Sequence, residues 1–359
     1  MPRHSRTRQD LLRSSRPERG GLLYDEQVSL VCRYFSRGDT PSDIRRILES
    51  DHGITLKREE PWQMIGYAAA KGWIRFVAPY ERELEEMIRE RYGGLSVTVA
   101  RTGATEDVSF HVARTLLDLV RARVVQSTAE EVHIGFAGGS SLRAAARILA
   151  DLLCQPPFDH LPKRLVFHAM VAGFNVQDPR PDPNAFFTYL ASGAELPIET
   201  RFVALLAPGI VQTRMMGDLK QIPDIREAYD RASEIDIIVT SAGGHWQEGH
   251  SALYDLYQRR SRPSLDALNA AGCIGDMMWR PIGAGGPIEV ETEVRAMTLM
   301  ELADLPAFLR QGKQVVLLMG PCGECRGPKS EVLRAILNQP KRMVSHVVVD
   351  SRSARGLFT

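Results

Sequence analysis

At 359 residues, with 44% hydrophobic and 25% charged side chains, the chain has the length for two domains and an ordinary globular composition. A formal net charge of +1 excludes a global pull toward nucleic acid or membrane. No apolar run approaches the roughly 20 residues of a membrane span. The five cysteines are scattered apart from Cys322 and Cys325, which points to a reducing cytoplasm rather than a disulfide framework.

Residues 1–23 carry six arginines (Arg3, Arg6, Arg8, Arg13, Arg16, Arg19) against Asp10 and Glu18 and read as a disordered basic arm. From Tyr24 the pattern turns helical, with Val28, Val31, Cys32 and Phe35 on one face as far as Gly38. Thr40 is suited to cap a second helix with Pro41 in its first position, and Ile44, Ile47 and Leu48 recur at helical spacing. A third helix is expected from Glu59 or Glu60 to Lys71, followed by a short strand, Trp73–Phe76. Three helices and a strand in so short a span predict a winged helix-turn-helix over residues 24–79. Residues 80–94 read as a charged linker helix whose Leu84, Met87, Ile88 and Arg91 share a face.

Beyond Gly93-Gly94, strand-like runs alternate with helical ones through to the C-terminus. This β–α alternation predicts an α/β fold, a doubly wound, mainly parallel sheet over residues 95–359. Its most informative stretch is residues 133–153. An apolar run ends in Gly138-Gly139-Ser140-Ser141, and an amphipathic helix follows at once. First-turn N–H groups lack intrahelical partners and the helix dipole adds partial positive charge, so this turn is suited to a phosphate or other anion. Far downstream, Lys329 begins another helix beside a glycine-rich turn. A cation there runs against the dipole rule and suggests an anion between them.

The order of these elements resembles the SorC/DeoR-type sugar-binding transcriptional regulators of bacteria. A helix-turn-helix and linker helix lead into YGGLSVTVA, then HIGFAGGSSL, DIIVTSAGG, CIGDMMWRPI, KSEVLRAIL and HVVVDSRSARGLF, the last with Asp350 and Ala354 in an Asp-x-x-x-Ala pattern. The resemblance implies a phosphosugar-isomerase-like effector domain. Its effector-binding residues would be Gly138, Gly139, Ser140 and Ser141 around phosphate, Gly243 and Gly244 as a glycine turn flooring the pocket, Asp276 on sugar hydroxyls, and Lys329 on a phosphate or carbonyl oxygen. All four segments are expected to follow strands. Arg45, Lys57, Arg58, Trp62 and Gln63 would meet DNA. Lys57-Arg58-Glu59-Glu60-Pro61-Trp62 departs from the family's recognition helix by its two carboxylates, and residues 24–77 hold eight basic and eight acidic side chains. Pro321–Pro328 and Asp178–Pro183 look inserted.

Cys322-x-x-Cys325 fits half a zinc site or a redox pair. With no second CxxC or Cys/His pair nearby in sequence, it reads as a pocket-side loop without metal. Arg143 and Arg147 read as a solvated helix face, with Arg143 also able to fold back to a phosphate. His245 and His250 suit either a ligand-facing or a solvated position, and His168 reads as a core histidine. The function expected is a cytoplasmic regulator without enzymatic activity, metal or cofactor. A phosphorylated sugar or related metabolite would tune its binding to a double-stranded DNA operator as a homodimer or homotetramer, with no membrane partner. The alternatives are a phosphosugar isomerase or lyase using Lys329 and Asp276, and a metabolite sensor whose N-terminal unit binds protein.

Overall fold

The computed structural model of the chain describes residues 19–74, 77–155, 158–173, 179–191 and 196–359. Two compact units result, residues 1–77 and 78–359. No helix among the described residues is long and apolar enough to cross a membrane.

The first unit holds α1 (Tyr24–Ser36), α2 (Pro41–His52) and α3 (Glu60–Lys71). Thr40 caps α2 as its sequence predicts: its hydroxyl accepts from Asp43 N at 3.2 Å, and the Asp43 carboxylate reaches back to Thr40 N. Val28, Val31, Ile44, Leu48, Met64 and Ala68 form the core, each worth about 1.5–3 kcal/mol for the larger side chains. Two expectations change here. Residues 19–23 are not an unstructured arm: Arg19 pairs with Leu22 through the backbone, and its guanidinium holds both carboxylate oxygens of Glu60 at 2.9 and 3.0 Å. Residues 1–18 lie outside the described residues. Trp73 and Ile74 form a bend rather than a strand, because the left-handed Gly72 ends α3 and turns Trp73 edge-on against Tyr67. Arg75 and Phe76, the rest of the expected wing, fall outside the described residues.

The second unit begins with α4 (Arg82–Tyr92), β1 (Ser96–Ala100) and the long α5 (Thr105–Ser127). Next come β2 (Glu131–Phe136), α6 (Ser140–Leu153), β3 (Arg164–Ala169), α7 (Pro183–Ala191) and β4 (Glu199–Val203). After β5 (Ile210–Gln212) and α8 (Pro223–Asp230), β6 (Ile237–Gly244) leads to α9 (Ala252–Arg260) and α10 (Arg262–Ala270). Short strands β7 (Cys273–Met277), β8 (Arg280–Gly283), β9 (Gly286–Pro287) and β10 (Val294–Ala296) follow. The chain closes with α11 (Leu305–Arg310), β11 (Gln314–Met319), α12 (Ser330–Leu337), β12 (His346–Asp350) and α13 (Ser351–Arg355).

Seven strands form a parallel sheet in the order β1-β12-β11-β6-β2-β3-β4. Fully buried Val, Ile, Leu and Phe fill β2, β3, β11 and β12, as two covered faces require. From β2 the chain winds outward to β3 and β4; from β6 it winds the other way to β11 and β12. The strand order therefore reverses between β2 and β6, where open α/β sheets leave a crevice at their carboxyl ends. The C-terminal end of β6 also pairs with antiparallel β7, which starts the β7–β8–β9 extension.

The face expected for the linker helix is partly revised. Leu84 and Ile88 of α4 are buried, but Met87 is exposed. The helix is instead anchored by a buried carboxylate: Glu85 accepts from Val99 N, Arg82 and Arg89 at 2.9–3.1 Å, tying α4 to β1. Nothing in the spacing marks Glu85 as inward, since its partners come from both its own helix and the adjoining strand.

His168 is a core histidine, fully buried on β3, with Nε2 2.9 Å from Nδ1 of His133. Burial, aided by His133, pushes it down to about 3. The unfolded ring titrates near 6.5 and so takes up its proton first, which makes stability fall as pH drops below about 6.5 toward 3. By pH 4 this loss should approach about 3 kcal/mol. Thermal melts of wild type and His168→Asn from pH 7.5 to 4 check it: the variant should have a flatter acid limb, and parallel curves would show that His168 does not set it.

Candidate functional site

The glycine turn after β2 forms as its sequence suggests. Gly139 takes φ +131°, a conformation that side chains resist, and α6 starts at Ser140 with first-turn N–H groups lacking intrahelical partners. One donor is already used: Gly139 N gives its hydrogen to Pro181 O at 2.8 Å, so the Pro-rich loop before α7 buttresses the turn.

A cavity of about 780 Å³ lies at this end of the sheet, within the range of small-ligand pockets. Gly138, Gly139, Ser140 and Ser141 line it from the end of β2 and the start of α6, and Ser241 and Gly243 from β6. Asp276, Lys329, Arg143, Arg147 and His250 are among its other polar lining residues, with the carboxylates Glu106, Asp255 and Glu324 also on the wall. Of the effector residues expected from sequence, only Gly244 is outside it; Gly244 faces a neighbouring cavity of about 250 Å³ with His245, Cys273 and Lys329. A further cavity of about 430 Å³, lined by Tyr257, Arg280, Arg295 and Glu301 among others, contains none of those residues.

Two details of the expected arrangement are corrected. Gly243 and Gly244 are not a turn but the last residues of β6, paired with Asp276 and Gly275 of β7. Their lack of side chains serves close packing. A Cβ on Gly243 would overlap the Asp276 carboxylate, and one on Gly244 would come within 3.0 Å of the Lys329 stem. Likewise Asp276 does not follow a strand but sits within β7, ahead of a two-residue hairpin whose Met278 and Trp279 are both left-handed (φ +52° and +61°). That turn shape suits a tight hairpin and normally calls for Gly or Asn. Its strain brings the Trp279 N–H onto the Asp276 carboxylate.

Lys329 precedes α12, and its ammonium donates to Ala242 O at 3.0 Å. Its own N–H donates to Ser353 Oγ at 3.0 Å, and that hydroxyl donates to the fully buried Asp350 at 2.6 Å. Asp350 also caps α13 by accepting from Arg352 N and Ser353 N. The Asp-x-x-x-Ala pattern thus positions the lysine, a role its sequence did not disclose. Ser241 is a second residue sequence reasoning missed; its hydroxyl would lie 3.2 Å from a Cβ on Gly139.

Electrostatically, the buried Asp276 and the half-buried Lys329 act on each other. Desolvation pushes the Asp276 carboxyl up to about 6, opposed by the Lys329 charge and the Trp279 N–H. Desolvation pulls the Lys329 ammonium below its usual range, opposed first by Asp276. Each therefore gains from a ligand that keeps the other charged: an anion beside Lys329, hydroxyl donors beside Asp276.

In the first unit, Lys57 and Arg58 are exposed ahead of α3, Trp62 is 56% exposed and edge-on to Phe35, and Gln63 is half-buried. Arg45 is turned to a structural task, Nε donating to Leu56 O at 2.9 Å. Glu60, one of the two carboxylates counted against DNA, is neutralised by Arg19 and held below the usual carboxylate range by that pair and the Lys57 N–H.

No protein-family model matches the sequence, and no curated protein does. The fold does have solved counterparts. The full-length sorbitol operon regulator SorC from Klebsiella pneumoniae superposes with a TM-score of 0.60 at 16% identity, over 93% of this chain and 98% of that one. This chain has the fold of SorC-type regulators. A DeoR family transcriptional regulator from Listeria monocytogenes (TM-score 0.54, 18% identity) covers 77% of this chain and 98% of its own. A transcriptional regulator from Streptococcus pneumoniae (0.54, 16%) covers 77% and 96%.

The Asp276 burial has a measurable sign. A folded-state value near 6 against about 3.8 unfolded means that the unfolded chain loses its proton first, so the carboxyl lowers stability progressively as pH rises from about 4 to 6 and then levels off. Asp276→Asn removes this loss, at most about 3 kcal/mol. The melting-temperature gap between variant and wild type should widen from pH 4 to 6.5 and stay constant above; a gap independent of pH would show an ordinary, solvated carboxylate.

Proposed function

We propose that the chain is a cytoplasmic, ligand-responsive transcriptional regulator of the SorC/DeoR type whose effector domain binds a phosphorylated sugar or similar phosphometabolite. One observation carries this reading: the cavity at the sheet's reversal point joins an anion-suited helix start to a half-buried lysine and a buried carboxylate. A phosphate would lie between the Gly138–Ser141 turn and Lys329, with sugar hydroxyls donating to Asp276. The fold shared with SorC and DeoR-type regulators supports the assignment, as does a separate three-helix unit that an isomerase would not need.

The three-helix unit would bind operator DNA through Lys57, Arg58, Trp62 and Gln63, in a homodimer or homotetramer. An effector can regulate such binding only by favouring one state of the assembly over another, so its differential affinity sets the size of the response.

Lys329→Met keeps most of the aliphatic stem and removes the charge. Losing one charge-assisted hydrogen bond, about 1.5–3 kcal/mol, should weaken sugar-phosphate binding roughly ten- to a hundred-fold. Calorimetry with a panel of sugar phosphates measures it; wild-type affinity in the folded variant would place the anion elsewhere. Covalent labelling of wild type by borohydride with a keto-sugar phosphate, absent in the variant, would favour the enzymatic reading instead.

Removing residues 1–18 takes away five arginines and two acids while sparing the Arg19–Glu60 pair. Operator affinity should fall, and its log–log salt slope should flatten by a few units, because fewer phosphates are neutralised. An unchanged slope in a fluorescence-anisotropy salt titration would show that this segment does not touch DNA.

A further inference from the structure

We propose that His245, Cys322 and Cys325 form a Zn²⁺ site with three protein ligands and one exchangeable position, pinning the Pro321–Pro328 loop to the end of β6. The sequence offers only half such a site, but the fold supplies the third ligand from the strand end that carries Gly243 and Gly244. The imidazole nitrogen and the two sulfurs all lie within 4.8 Å of one another. A tetrahedral zinc with bonds of about 2.0–2.3 Å separates its ligands by roughly 3.5–3.8 Å, a contraction within reach of side-chain adjustment.

Three independent features of the local structure converge on this point. His245 Nε2 is buried and has no hydrogen-bond partner among the described residues, an expensive state for a ring nitrogen unless something is bound there. The residue is held at φ +59°, a left-handed conformation costly for a non-glycine, directly after β6. Opposite it, the loop folds back on itself: Cys322 N donates to Gly327 O at 2.9 Å and Arg326 N to Cys322 O at 3.1 Å, with Arg326 at φ +57°. This fold brings Cys325 round to the same side as Cys322.

The other comparable cluster among the described residues, His133, His168 and Glu234, behaves differently. His133 Nδ1 and His168 Nε2 already face each other at 2.9 Å and Glu234 lies 3.5 Å from His133, so the nitrogen without a partner there, His168 Nδ1, is not the one turned toward the cluster. It has the internal bonding of a core pair.

Two thiolates and a neutral imidazole suit zinc, and the pair of anionic sulfurs balances its charge. Binding releases the two thiol protons to solvent, and water fills the fourth position. The same loop contributes Gly323, Glu324 and Arg326 to the large cavity and runs directly into Lys329, so occupancy would fix part of that cavity's wall.

The full chain, reduced and stripped with a chelator, should bind one Zn²⁺. Co²⁺ in its place should show thiolate-to-cobalt charge-transfer bands and the intense visible bands of a tetrahedral site. Cys322→Ser, Cys325→Ser and His245→Gln should each lower Zn²⁺ affinity by more than about 100-fold, beyond what losing an outer-shell partner costs. Cys154→Ser, on an exposed cysteine elsewhere, should leave it unchanged. Where a variant fails to fold, zinc protection of Cys322 and Cys325 from alkylation in wild type, read by peptide mapping, decides. Substoichiometric binding, a cobalt spectrum without sulfur bands, unaltered affinity in His245→Gln, or a Cys322–Cys325 disulfide that forms equally with and without zinc would each overturn the site.

Discussion

Asp276 is only 8% exposed at the carboxyl end of a parallel sheet, and its burial dictates the residues around it. An isolated buried carboxylate is costly, so the surroundings supply an opposing charge and a backbone donor. Lys329 provides the first and the strained Met278–Trp279 hairpin the second. Space comes from Gly243, where a side chain would displace the carboxylate. These choices hold together as a set: a relaxed turn or a missing lysine would push the Asp276 carboxyl further up toward its neutral form, and a larger residue at Gly243 would displace it. A site built this way is preorganised but electrostatically unsatisfied, which favours a ligand carrying both an anion and hydroxyl donors.

The lysine is positioned by a chain of buried contacts rather than by packing alone. Asp350 caps α13, Ser353 links that carboxylate to the Lys329 N–H, and the Lys329 ammonium reaches Ala242 O. The ends of β12, β6 and the start of α12 are thereby joined through three polar residues. The parallel strand order makes this possible, because β6, β11 and β12 all deliver their carboxyl ends to one edge. A change near the C-terminus could in this way alter the geometry of a site whose other half lies two hundred residues earlier.

In the three-helix unit, charge balance is settled by pairing. Residues 24–77 hold equal numbers of acids and bases, yet Arg19 covers Glu60, and Lys57 and Arg58 remain exposed at the start of α3. The electrostatics near that helix are set by which charges are already engaged, and the pair joins residues more than forty positions apart.

Periodicity and turn chemistry determined the secondary structure closely. Thr40 with Pro41, the apolar runs of β2, β6, β11 and β12, and the glycine turn before α6 act through local preferences that need no distant partner. The resemblance to SorC-type regulators rested on the order of these elements, and the fold agrees with it. Most residues expected at the effector cavity also line it, because strand ends meet at the reversal of strand order. What sequence could not give was the set of contacts made across long separations. Glu85 inside the α4–β1 junction, Asp350 behind Lys329, Arg19 on Glu60 and His245 against Cys322 and Cys325 each depend on partners that only folding brings together. Gly243 and Gly244 were misread as a turn for the same reason: a glycine that frees the backbone and one that makes room for a neighbour look alike until the neighbour is in place.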